Sequence, residues 1–122
     1  MIQIEREWKQ VKDRIRALAE PKESEFQCSL SGDADLMVVR LGACAAELKG
    51  YGVIFGRLGS LSANVSDEPA RLVWRVECVP GDNQCVWHIN RSPSALSGQE
   101  LAQAVLGQLQ KYCEDYEQTI AL

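Results

Sequence analysis

Along residues 3–19 the apolar side chains Ile4, Trp8, Val11, Ile15 and Leu18 recur at alternating spacings of four and three. That period puts all five on one stripe of an α-helix, which Glu20-Pro21 ends because proline's ring cannot continue the helical backbone. A stripe this short does not hold a coiled-coil partner unaided, so it is expected to pack on the chain's own sheet.

The period then changes to two. Glu25-Phe26-Gln27-Cys28-Ser29-Leu30 alternates apolar with polar positions, as a half-buried strand does, and Ser31-Gly32-Asp33 follows as a turn signal. Residues 35–48 satisfy two templates. As a strand, Met37, Val39 and Leu41 face Leu30, Cys28 and Phe26 across a hairpin; as a helix, Met37, Leu41, Cys44 and Leu48 form a stripe capped by Asp33 and ended by Gly50. Gly42 and Val38-Val39 favour the strand, while Ala43, Ala45 and Ala46 favour the helix, and the strand is placed slightly ahead. From Tyr51 to Leu58, Val53-Ile54-Phe55 between glycines predicts a strand with bulges or sharp bends, and Ser60–Ala70 is a polar connection.

Arg71 to Asn90 holds two alternating runs joined by Pro80-Gly81-Asp82-Asn83, a sequence suited to a type II turn. With those four residues as the loop, Cys78 faces Cys85, Val76 faces Trp87 and Trp74 faces Ile89 on a wholly apolar side. The other side pairs Glu77 with Val86, Arg75 with His88, and Val73 with Asn90. A second helix begins at a capping box, Ser97 with Glu100 three positions on, and Leu96 is placed to staple against Leu101. Leu101, Val105, Leu109, Tyr112 and Tyr116, with Ala102, Leu106 and Cys113 beside them, give it a stripe wide enough to cover a sheet nearly to the C-terminus.

The expected fold is therefore α+β: an antiparallel sheet of four to five strands flanked by an N-terminal and a C-terminal amphipathic helix, in one domain spanning residues 1–122. Composition agrees with this. At 122 residues, 46% hydrophobic and 25% charged, the chain has the balance of an ordinary globular domain that folds without a metal. Its net charge of −4 argues against nucleic acid as a partner. The basic residues of the first helix are interleaved with Glu5, Glu7, Asp13 and Glu20, which describes a solvated face. No secretory signal opens the sequence and no apolar run reaches membrane-spanning length, so no membrane partner is expected. Five widely spaced cysteines, an odd number, suit free thiols and a cytoplasmic location. In that compartment the sequons at Asn64 and Asn90 are without consequence.

Candidate chemistry is sparse. Neither Cys-x-x-Cys nor His-x-x-x-His occurs, and Cys78 and Cys85 are explained as core residues of neighbouring strands, so neither metal nor cofactor is implied. Gly50-Tyr51-Gly52-Val53-Ile54-Phe55-Gly56 comes near a dinucleotide fingerprint but runs into a strand where the fingerprint needs a helix N-terminus. Trp74 and Trp87 point to the core, and the acidic stretch Glu114, Asp115 and Glu117 opposes its helix dipole, as a frayed solvated end or a contact for a basic partner would. His88 is the sole histidine, and its expected neighbour, Arg75, is not a carboxylate.

Three functional classes follow. The first is a non-catalytic protein-interaction module, chaperone- or adaptor-like, pairing with itself as a homodimer or with another protein. Small acidic helix–sheet–helix proteins include the chaperones of bacterial secretion systems, which this chain resembles in size, charge and layout, though not in any motif. The second is a small-molecule site between sheet and helices, with Arg75, Glu77 and His88 as ligand-binding candidates should their face turn inward and Arg75 as a holder of anions. The third, held lowest, is an enzyme using His88 or a carboxylate pair such as Glu47 and Glu77.

Overall fold

The computed structural model describes residues 4–21, 25–30, 36–57, 72–80 and 85–121. Helix α1 (Ile4–Ala19) is followed by strands β1 (Gln27–Leu30), β2 (Met37–Leu41), β3 (Cys44–Lys49), β4 (Gly52–Arg57), β5 (Leu72–Pro80) and β6 (Cys85–Ile89), and then by helix α2 (Gly98–Ala121). All six strands form one antiparallel meander in chain order. The sheet thus has one strand more than the upper expectation, because the ambiguous stretch 35–48 holds two strands. Leu41 pairs with Cys44 across a two-residue turn in which Gly42 has φ 59°, the arrangement of a type II′ hairpin with glycine at its first central position. Alternation broken at Gly42-Ala43 is what mimicked a helical stripe.

The same device joins β3 to β4. Lys49 pairs with Gly52 around Gly50-Tyr51, and Gly50 has φ 60°. Strand β4 then runs in unbroken register with β3 on one side and β5 on the other, so the expected bulges are replaced by a regular ladder. The β1–β2 register is the one the alternation predicts, with Cys28 opposite Val39 and Leu30 opposite Met37.

In the β5–β6 hairpin the register differs from expectation by two residues. Strand β5 continues through Pro80, which pairs with Cys85, so Cys78 lies opposite Trp87 and Val76 opposite Ile89. Cys78 and Cys85 are diagonal neighbours, and Glu77, in place of Arg75, lies opposite His88. A slip of two preserves which face every side chain occupies, so the apolar pattern does not distinguish the two registers. Apart from Pro80, the expected type II turn lies outside the described residues, as do the turn at Ser31-Gly32-Asp33 and the connection Ser60–Ala70.

Both helices pack on one face of the sheet. Trp8, Val11 and Ile15 of α1 and Leu101, Val105 and Leu109 of α2 share a single core with Met37, Val39, Leu48, Val53, Phe55 and Trp87. Each fully buried aliphatic side chain there contributes on the order of 2 kcal/mol. Ile4 and Leu18, placed on the α1 stripe by spacing, are 37% and 41% exposed, and Ala19 takes the buried position one turn beyond Ile15. The start of α2 is as read: Ser97 N–H donates to Glu100 Oε1 at 3.0 Å and Glu100 N–H donates to Ser97 Oγ at 3.1 Å. Its first residue, Gly98, brings α2 close to α1, since a Cβ there would stand 2.9 Å from an Arg14 guanidinium nitrogen and 3.4 Å from Val11 Cγ2.

Candidate functional site

Alternation along the strands decides what the second face of the sheet presents. With Trp74, Val76 and Cys78 turned toward the helices, Val73, Arg75, Glu77 and Val79 of β5 turn away from them and are exposed. Their neighbours on that face are Val38 and Arg40 of β2, Glu47 and Lys49 of β3, Gly52 and Ile54 of β4, and Val86 and His88 of β6. Arg75 and Glu77 therefore lie on the side away from the helices, and not between the two layers.

Arg75 and Glu77 are brought together with two residues that the sequence did not single out as site candidates, Asn90 and Arg91. The four line an open concavity of about 300 Å³. Asn90 and Arg91 occupy the centre of a tight turn, with φ 51° and 62°, closed by Ser92 N–H donating to the Ile89 carbonyl at 2.9 Å. Two consecutive positive φ values mark a type I′ turn, for which Asn-Gly is the unstrained pair. An arginine in the left-handed region costs about 1 kcal/mol. The available signal was the asparagine directly after an alternating strand, which the sequence reading took as the last strand position opposite Val73 and as part of a sequon.

Asn90 anchors the concavity. Its N–H donates to the Arg75 carbonyl at 2.8 Å, its Oδ1 accepts from the Arg75 N–H at 2.8 Å, and its Nδ2 donates to the Val73 carbonyl at 3.5 Å. Neither Arg75 nor Arg91 forms an ion pair with another described residue.

His88 is half-buried, and its Nδ1 lies 2.9 Å from the Ser92 carbonyl oxygen. A carbonyl only accepts, so the Nδ1 position carries the proton and Nε2 is left as the second ring site. Glu47 and Glu77 are not brought together: Glu47 pairs with Ile54, which pairs with Val73, four residues along β5 from Glu77.

The thiols lie on the other side of the sheet. Burial, and then a hydrogen bond with Cys85, pushes the Cys78 thiol from 9.0 up to about 12, and burial also raises Cys28. A thiol held protonated is a poor nucleophile and a poor metal ligand. Among the described residues no cluster of three His, Cys, Asp or Glu side chains is placed to hold a metal, and no helix is long and apolar enough to cross a membrane. Compared with protein-family models, with curated proteins and with solved structures, the chain matches none.

Proposed function

We propose that the chain is a non-catalytic protein-interaction module, chaperone- or adaptor-like, that engages another protein or a second copy of itself through the sheet face its helices leave uncovered. The observation carrying this reading is the apolar content of that face. Val73 is 49% and Val79 47% exposed. Val79 pairs with Val86, and Val73 lies beside Ile54, whose other neighbour Glu47 leads on to Val38. Antiparallel sheets with one wet face ordinarily turn polar side chains to it. Apolar residues in adjoining strands are instead the composition of a surface that acquires a cover. Five free cysteines suit work in the reducing cytoplasm.

The test is site-specific photocrosslinking in the native host, with the photoreactive residue in place of Val73 and, as control, in place of the exposed Gln103 on α2. A discrete crosslinked species from position 73 and none from position 103 supports the reading. Identical patterns from both positions, or none from either together with a monomeric sedimentation coefficient, overturn it.

A further inference from the structure

Among the described residues, the sheet face away from the helices carries Arg40, Lys49 and Arg75, with Arg91 at its β6 end, against the carboxylates Glu47 and Glu77. Among its described residues, a chain of net charge −4 thus gathers a cationic surplus on the face that neither helix covers. The surplus is not taken up at the concavity by ion pairs with described residues. Two such faces would set cation against cation, which disfavours a second copy as the occupant. The turn adds an independent observation: at φ 62° a glycine would be unstrained, yet the position carries a guanidinium that lines the concavity beside Arg75.

We propose that this face docks an extended acidic segment of a partner protein, whose contacting side chains, at every second residue, include both acidic and apolar ones. One of its carboxylates enters the concavity of Arg75 and Arg91, and its apolar side chains rest on Val73, Val79 and Val86. The period fits, because Val73, Arg75, Glu77 and Val79 follow one another at every second residue of β5, as do the side chains on one side of an extended chain. Guanidinium groups suit the role, since their planar donors match a carboxylate in a bidentate fork. Asn90 holds the backbone of Arg75 and begins the turn that carries Arg91, so both guanidinium groups are rooted in fixed backbone. This proposal rests on the interaction reading and specifies the partner's chemistry.

Fluorescence anisotropy on the intact chain tests it, with labelled short peptides in which Glu and Val, Gln and Val, or Lys and Val take turns at every second residue and threonine fills the positions between. The Glu–Val peptide is expected to bind about tenfold more tightly than Gln–Val at low salt and to lose that advantage as salt rises. Arg75→Gln and Arg91→Gly are each expected to remove most of the advantage, and Arg91→Gly does so while raising the unfolding midpoint, which separates lost binding from lost fold. Equal binding of the three peptides, or indifference to both substitutions, overturns the acidic-segment proposal and leaves the interaction reading standing. So does displacement of the peptide by free glutamate or inorganic phosphate at comparable affinity, which would make the concavity a small-anion site. A chain that dimerises without peptide and is dissociated by Arg75→Glu assigns the face to a second copy, against the proposal. Absence of peptide binding overturns it too, and only when joined to the negative crosslinking result does the broader reading fall with it.

Discussion

Asn90 completes the β-ladder to Arg75 with its side chain. The backbone of Asn90 turns out of the strand at φ 51°, and its Oδ1 accepts the Arg75 N–H at 2.8 Å, the bond a strand carbonyl would otherwise take. Asn90→Ala removes that acceptor and places a Cβ without local hydrogen bonding in the left-handed region. A loss of about 2 kcal/mol is expected in urea denaturation, and about 1 kcal/mol for Asn90→Gly, which keeps the backbone geometry. Equal losses for the two would show that the conformation contributes nothing.

Gly50 isolates the backbone effect elsewhere in the sheet. A Cβ there meets nothing within 4 Å, so Gly50→Ala acts through its φ of 60° alone. The expected cost is about 1 kcal/mol, with Gly50→Asn costing less because asparagine tolerates that region. Thermal unfolding of the two variants checks the order.

Cys78 gives stability a pH dependence on the alkaline side. Its folded-state thiol holds its proton to about 12, against 9.0 ordinarily, so above pH 9 the unfolded chain binds fewer protons than the folded one. Stability is therefore expected to fall as pH rises from about 9 towards 12, and Cys78→Ala should flatten part of that slope. Cys28, whose thiol is also raised, contributes in the same direction. Titration of the urea midpoint across this window measures the effect, and alkylation of Cys78 near pH 8 should be slower than that of a free thiol.

Trp8 carries a buried indole N–H with no partner among the described residues, while its ring packs against Trp87 at 5.5 Å and Tyr51 at 5.9 Å. Trp8→Phe removes the unpaired donor together with part of the ring. Its cost is expected to stay near 1–2 kcal/mol, against about 3–5 kcal/mol for Trp8→Ala. Comparable losses in denaturation would mean that the indole N–H is not the liability assigned to it.

Sequence patterns revealed the layers better than the joints. The capping box at Ser97 and Glu100 located the start of α2 because each of its partners is fixed by spacing alone. Alternation placed Arg75 and Glu77 on the same face as each other, since parity is all that a strand requires. It did not place His88 opposite Glu77, because the β5–β6 register depends on how far β5 runs past Val79, and a shift of two leaves every face unchanged. The Gly42-Ala43 turn was hidden by alanines that suit strand and helix alike. Arg91 escaped notice because a type I′ turn ordinarily shows itself by glycine at that position, and a concavity made by a strand and a turn leaves no periodic trace.

The meander order has a consequence for synthesis on the ribosome. Every strand pairs with its neighbour in the chain, so the sheet can assemble step by step as it emerges. Its inner face and the apolar side of α1, however, share their core with α2, which is made only after all six strands. Until Leu101, Val105 and Leu109 arrive, only α1 stands over the inner face, and the part of the core that α2 completes is open to water. The interval before α2 docks is when the polypeptide is most exposed to aggregation, and translational pausing between β6 and α2 would lengthen it.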